Sequence, residues 1–289
     1  MNDLPLDGFC DPRFEPVREA FAANFRARGE PGAAVCVSVG GRPVADLWGG
    51  YADIANTQPW QHDTLVNVFS VGKALCALAA ARIVERRLVD LDAPVAKLWP
   101  EFAQAGKDAI TLRQILSHRG ALPAIAKPLP DGAALDWEVM VHALEEQAPW
   151  WAPGTAFGYH VNTYGFLIGE IVRRAAGKTL GTLIREEVAR PLGADIHIGL
   201  AREHHARVAE YRWPGTSSMT PPGEDATDTD RMRWNAYWNP PGISGAHWVN
   251  RTQWRLAEVP STNGHGNARS VARIYAALAK GGALDGVEI

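Results

Sequence analysis

The protein has 289 residues and a formal net charge of −3; 46% of its residues are apolar and 21% are charged. A near-neutral chain lacks the basic patch of a nucleic-acid-binding protein, so we expect no nucleic-acid partner. The sequence has no run of about 18 apolar residues, and its first residues show no basic or apolar leader segment. We therefore expect a cytoplasmic protein without a membrane partner, built as one large domain or two closely packed ones.

The N-terminal part of the chain predicts one helix followed by a β-hairpin. Apolar residues recur at helical spacing over residues 13–28, and Gly29 follows as a stop. Over residues 33–49, valines alternate with small residues on either side of Gly40 and Gly41. Alternation interrupted by a Gly-Gly pair is typical of two antiparallel strands joined by a tight turn.

The rest of the chain is mainly helical. A long Ala- and Leu-rich helix is predicted over residues 70–88, and Thr111 is placed to cap a short helix after it. Between 201 and 262 the periodicity disappears, although five of the 11 tryptophans lie there. Further helices are predicted over residues 91–99, 134–147, 162–176, 179–190 and 268–280.

The predicted long helix begins with a serine and a lysine one helical turn apart. Ser70 and Lys73 stand at positions i and i+3, so their side chains share a helix face. Serine is a weak nucleophile unless a neighbouring base accepts its proton. Lys73 is the only charged residue in an otherwise apolar helix half, and burial favours its neutral form. A chance occurrence of this short motif remains the alternative.

A tyrosine lies just before a predicted helix, in the sequence WWAPGTAFGYHVN. Tyr159 follows a turn that contains Pro153 and Gly154, so its phenol extends from a loop edge. A phenol in that place can transfer a proton to a leaving group. The alternative is an aromatic side chain that only packs.

Other catalytic and metal-binding motifs are missing from the sequence. Cys10, Cys36 and Cys76 form no Cys-x-x-Cys pair, and the nine histidines show no zinc-binding spacing. No Gly-x-Ser-x-Gly elbow occurs, and Gly264-His265-Gly266 lacks the third glycine of a dinucleotide site. We therefore expect no metal and no cofactor.

Three segments together resemble a known superfamily. FSVGKALCALAAARIVERRL, ITLRQILSHRGALP and WAPGTAFGYHVNTYGFLIGE occur in this order, and the resemblance covers residues 15–283. The chain is similar to serine β-lactamases and penicillin-binding proteins, and most similar to the class C-like carboxylesterases called family VIII esterases. The resemblance implies an α+β fold in which a helical region packs on an antiparallel sheet.

The resemblance also implies roles for individual residues. Ser70 would be the acylated nucleophile, Lys73 its base, and Tyr159 the group that exchanges protons with Ser70 and the leaving group. The backbone N–H of Ser70 would donate one hydrogen bond to the oxyanion. Candidate pocket residues are Trp151, His160, Asn162, Trp238 and His265. Domain packing is the alternative for the tryptophans, and a structural hydrogen-bonding role is the alternative for His160.

Two departures from the family pattern matter. The family's Tyr-x-Asn motif has Val161 at its third position here, with Asn162 one place late, which argues against a strong lactamase. The family's Lys-Thr-Gly motif follows the helix that matches 268–280, and no such motif occurs here. We expect the sheet to lack its C-terminal strands and the second oxyanion donor, as in a fragment of a longer hydrolase.

The leading interpretation is a serine hydrolase that cleaves small carboxylic esters through an acyl-enzyme at Ser70. A β-lactamase or D-amino-peptide hydrolase is the second interpretation, and a non-catalytic protein that retains the fold is the third. We expect an N-terminal α/β part at 1–68, a helical part at 69–200 and a Trp-rich part with the last helix at 201–289.

Overall fold

A computed structural model describes residues 5–213 and 219–289, in which a helical layer packs beside small antiparallel sheets. The predicted α+β arrangement is confirmed. No helix within these ranges is both long and apolar enough to cross a membrane. The α-helices are α1 Glu15–Arg28, α2 Gly72–Glu85, α3 Leu112–Leu116, α4 Trp137–Glu146, α5 Thr163–Ala176, α6 Leu180–Ile184, α7 Arg190–Leu192, α8 Asp228–Trp238, α9 Thr252–Leu256 and α10 Ala268–Ala279. The strands are β1 Leu6–Cys10, β2 Gly32–Val39, β3 Arg42–Gly50, β4 Val66–Asn67, β5 Ile196–His197, β6 His265–Gly266, β7 Ala283–Leu284 and β8 Val287–Glu288.

The largest sheet has the strand order β1-β3-β2, and both pairings are antiparallel. The predicted hairpin forms β2 and β3, and Gly40 and Gly41 join them with positive φ angles of 59° and 85°. Glycine adopts this conformation without the steric cost of a Cβ. The sequence does not predict β1, because its five residues LDGFC show no apolar alternation. Helices α1 and α10 pack against the sheet.

The outer edge of β2 is open within the described part of the chain. A groove of about 1060 Å³ runs along this strand, and its lining includes Val35, Trp60 and Tyr275. Strands β7 and β8 pair only with each other, as a two-residue hairpin after α10.

The Ser-x-x-Lys segment folds as a 3-10 turn over Phe69–Val71 that leads directly into α2. The Ala and Leu residues of α2 bury most of the helix in the core. The helix ends at Glu85 and not at the predicted residue 88. Arg87 adopts a φ of 58°, which is incompatible with a continuing right-handed helix.

Helices α2 and α5 pack closely on the segment 259–262. A Cβ at Gly72 would lie 2.3 Å from the carbonyl oxygen of Pro260, and a Cβ at Gly165 would lie 2.5 Å from the nitrogen of Ser261. Both neighbouring atoms belong to the backbone and cannot rotate away. These glycines therefore allow the two helices and the segment to meet.

A second sheet, β4-β6-β5, joins three distant parts of the chain, and its strand β4 comes just before the turn that leads into α2. Asn67 pairs with His265, which pairs in turn with His197 on the other side. Each strand has only two residues, so no alternating pattern could reveal it. The sheet holds the chain immediately before Ser70 against the segment that carries residue 265.

The region from 201 to 262 contains more regular structure than its sequence pattern predicts. A 3-10 helix spans Arg202–Arg207, and α8 and α9 follow. Helix α8 begins with a capping box in which Thr227 and Asp230 satisfy each other's backbone N–H groups. The apolar residues of α8 recur only weakly at helical spacing, so the sequence pattern does not predict this helix. Residues 214–218 of this region lie outside the described residues.

Gly165→Ala should destabilise the protein. Overpacking a tight contact costs about 1–3 kcal/mol, which exceeds the gain of up to about 1 kcal/mol from replacing glycine in a helix. Gly223 has no atom within 4 Å of a Cβ position, so Gly223→Ala is the matched control. Urea unfolding should show a lower midpoint for Gly165→Ala only; a midpoint at or above that of the wild type would contradict the close packing.

Candidate active site

Three side chains from two distant parts of the chain meet at the Ser70 hydroxyl. The Lys73 Nζ lies 3.2 Å from Ser70 Oγ, and the Tyr159 phenol oxygen lies 3.1 Å from the same atom. Both distances are within hydrogen-bonding range. Ser70 comes from the 3-10 turn that leads into α2, Lys73 comes from the first turn of α2, and Tyr159 comes from the loop before α5. The structure thus brings together all three predicted catalytic side chains.

Lys73 is buried without a carboxylate among its hydrogen-bond partners in the described residues. Its Nζ donates to the backbone oxygen of Ser261 at 3.2 Å and lies 4.9 Å from the centre of the Tyr159 ring. Burial lowers the pKa of Lys73 below its usual range, while the Tyr159 hydroxyl opposes part of this shift. Burial thus increases the fraction of neutral amine, the form that can accept a proton.

Ser70 lies on an exposed turn that the backbone holds in place. Phe69, directly before it, adopts a positive φ of 45°, which is uncommon for a residue with a side chain. The N–H of Val68 donates to the Gly264 oxygen at 2.7 Å, which fixes this turn to the β4-β6 pair. N–H groups in the first turn of a helix have no partner within the helix, and Ser70 lies in such a turn; its role as an oxyanion donor remains a prediction.

The loop that carries Tyr159 is supported by an aromatic ring. The Trp151 ring covers Gly158, where a Cβ would lie 2.2 Å from it. The Trp151 indole nitrogen donates to the Ala156 oxygen at 3.3 Å. Trp151 therefore supports the loop that presents Tyr159, and the predicted role of Trp151 as a pocket residue remains a prediction.

Two other predicted pocket residues are buried beside this loop. His160 Nε2 accepts a hydrogen bond from the Leu122 N–H at 3.1 Å, so its Nδ1 carries the proton and lies 2.6 Å from the Gly158 oxygen. Burial lowers the pKa of His160 to about 4. Asn162 donates to the Ala236 oxygen and accepts from the Thr262 hydroxyl at 2.5 Å. Both side chains are engaged within the protein.

The last two candidates lie in different surroundings. Trp238 stacks on Trp234 at the end of α8, with ring centres 5.4 Å apart. His265 is fully buried in β6, and burial lowers its pKa to about 3. Neither residue is among the hydrogen-bond partners of Ser70 Oγ in the described residues, and their pocket roles remain predictions.

The sequence analysis does not identify Ser261 as a functional residue. Its carbonyl accepts from Lys73, and its hydroxyl accepts from the N–H of Gly165 at 2.7 Å, in the first turn of α5. Ser261 thus links the lysine to the helix that follows Tyr159. Its carbonyl has no side-chain signature, and only the polar run Ser-Thr-Asn-Gly at 261–264 marks the segment.

Comparison with known proteins identifies the family of this chain. The β-lactamase family profile matches residues 18–288. The chain belongs to the β-lactamase family. The esterase/β-lactamase LipL of Mycobacterium tuberculosis is 34% identical to it over 97% of this chain and 66% of LipL.

Two solved structures share the fold of this β-lactamase-family protein. A family VIII carboxylesterase superimposes with a TM-score of 0.87 at 40% identity, over 98% of this chain and 74% of the esterase. A penicillin-binding protein homologue from Caulobacter crescentus gives 0.86 at 41% identity, over 98% and 73% of the two chains. The predicted family resemblance is confirmed. The chain spans about two thirds or less of the length of the curated relatives that it matches.

Lys73→Met should stabilise the protein at neutral pH. Burial lowers the pKa of Lys73 in the folded state, so folding disfavours the protonated amine. The stability of the wild type therefore rises as the pH increases toward 10.5, the pKa of lysine in the unfolded chain. Urea midpoints should be higher for Lys73→Met at pH 7, and the difference should shrink toward pH 10. Exposed Lys280→Met is the control. A lower midpoint for Lys73→Met at pH 7 would contradict this account of the lysine.

Proposed function

We propose that this protein is a serine hydrolase that cleaves small carboxylic esters through an acyl-enzyme at Ser70. The observation that carries the proposal is the contact of the Ser70 hydroxyl with both a buried amine and a phenol. A serine that has a neighbouring base is the usual arrangement of an activated nucleophile. The esterase names of LipL and of the family VIII carboxylesterase support the same reaction class.

In the proposed acylation step, the Ser70 oxygen attacks the ester carbonyl carbon. Lys73 in its neutral form accepts the hydroxyl proton, either directly or through Tyr159, as the C–O bond forms. The Ser70 N–H donates to the developing oxyanion. The tetrahedral intermediate then expels the alcohol, which takes a proton from Tyr159, and Lys73 restores that proton to the phenol. Water hydrolyses the acyl-enzyme by the same proton transfers in reverse.

The local sequence favours an ester substrate over a β-lactam. Val161 occupies the third position of the Tyr-x-Asn motif, and Asn162 is occupied by internal hydrogen bonds. An amide side chain at the third position would be available to a β-lactam, whereas valine offers no hydrogen bond. The name of LipL includes both activities, so an amide hydrolase is the second candidate.

A fluorophosphonate should label the wild-type protein at Ser70, with loss of fluoride and formation of a serine–phosphorus bond. Ser70→Ala should lose the label, because no other serine or threonine hydroxyl is hydrogen-bonded to the Lys73 amine among the described residues. Ser117→Ala is the matched control, since Ser117 bonds only to backbone oxygens of its own helix. Peptide mapping by mass spectrometry locates the adduct.

Substrate class is measured with the same proteins. A p-nitrophenyl ester should be hydrolysed faster than nitrocefin, and the reverse order would favour the amide hydrolase. Absence of label on wild-type protein, or a label that persists in Ser70→Ala, would contradict the proposed function and support a non-catalytic protein.

A further inference from the structure

His118 contacts the backbone on both sides of Tyr159. The Gly158 N–H donates to the His118 carbonyl oxygen at 3.0 Å, and the His160 N–H donates to His118 Nδ1 at 3.1 Å. The His118 ring also lies 4.9 Å from the Tyr159 ring, measured between ring centres. His118 therefore holds the backbone at Gly158 and at His160 and contacts the Tyr159 ring between them.

His118 is itself held in place by its neighbours. Its N–H donates to the Ile115 oxygen at the end of α3, and its φ of 59° turns the chain sharply there. Its ring packs on Tyr164 of α5, with ring centres 4.7 Å apart. His118 therefore connects α3 and α5 to the loop that carries Tyr159.

The hydrogen bond at Nδ1 determines the protonation state of His118. Because Nδ1 accepts from the His160 N–H, the single proton of the neutral ring is on Nε2. Burial, and after it the charge of Lys73, lower the pKa of His118 to about 4, which keeps the ring neutral at physiological pH. A protonated ring would lose this acceptor.

We propose that His118 is a positioning residue that holds the Tyr159 hydroxyl at Ser70. The Nδ1 acceptor and the carbonyl fix the backbone around Tyr159, so that its phenol reaches the nucleophile 3.1 Å away. His118 touches neither Ser70 Oγ nor Lys73 Nζ through any hydrogen bond of the described residues, and it acts through Tyr159. This inference rests on the proposed serine hydrolase function.

Two substitutions separate the acceptor from the backbone turn. Both asparagine and glycine tolerate positive φ, but only asparagine has a side-chain oxygen near the place of Nδ1. His118→Asn therefore keeps the acceptor, and His118→Gly removes it. His247 is exposed and has a similar φ of 64°, so His247→Gly is the matched control for a histidine lost from the same backbone conformation.

The test measures fluorophosphonate labelling of Ser70 at several probe concentrations, which gives the maximal rate kinact and the half-saturating concentration KI. His118→Gly should lower kinact by about 10–100-fold, since a misplaced proton-transfer group costs about that much. KI should change by less than about threefold, because the probe site itself is untouched. His118→Asn should restore most of kinact, and His247→Gly should match the wild type.

A double substitution tests whether His118 acts through the phenol. In a Tyr159→Phe background, His118→Gly should cause little further loss of kinact, because the hydroxyl that it positions is already gone. If His118→Gly is unfolded under the assay conditions, His118→Ala replaces it in the same comparisons. Both measurements use protein whose folding is checked by circular dichroism.

The outcomes distinguish this inference from the proposed function. The inference would be overturned if His118→Gly kept the wild-type kinact, or if His118→Gly and His118→Asn lowered kinact equally. It would also be overturned if His118→Gly lowered kinact as much in the Tyr159→Phe background as in the wild type. Failure of the proposed function shows instead as wild-type protein that takes no label at Ser70.

Discussion

The site depends on one interaction, the contact between the buried Lys73 amine and the Ser70 hydroxyl. An amine that is removed from water favours its neutral form, and only that form can take the serine proton. The rest of the site preserves this contact. The serine lies in the short turn that leads into α2, and the Ser261 carbonyl receives a hydrogen bond from the amine without supplying a negative charge that would raise its pKa.

Three separate parts of the chain are needed to hold this contact. The turn before α2 carries the nucleophile, the 259–266 segment carries Ser261 and the pairing strand β6, and the loop before α5 carries Tyr159. Glycines at two of these junctions let backbones approach to distances that a side chain would prevent. The half-buried His118 and the buried His160, both with lowered pKa values, support the third, so these two imidazole rings remain neutral at physiological pH.

Much of the local structure could be predicted because its signals are local. Thr111 forms the predicted cap of α3, Gly40 and Gly41 form the predicted turn, and the Ser-x-x-Lys spacing places both side chains on one helix face. The two-residue strands β4, β5 and β6 could not be predicted, because they exist only through pairing between residues that are far apart in the sequence. The same limit applies to the Ser261 carbonyl and to the His118 acceptor, since a backbone contact across the fold leaves no pattern in the sequence.

The most direct test is an NMR titration of the lysine side chains. The chain has six lysines, so protein with ¹³C-labelled lysine gives few resonances, and Lys73→Met and Lys107→Met identify the two buried ones. The account predicts that the resonance lost in Lys73→Met titrates below the ordinary lysine value of 10.5. A Lys73 resonance that titrates at or above that value would mean that the amine is held as a cation, and would contradict its role as the base for Ser70.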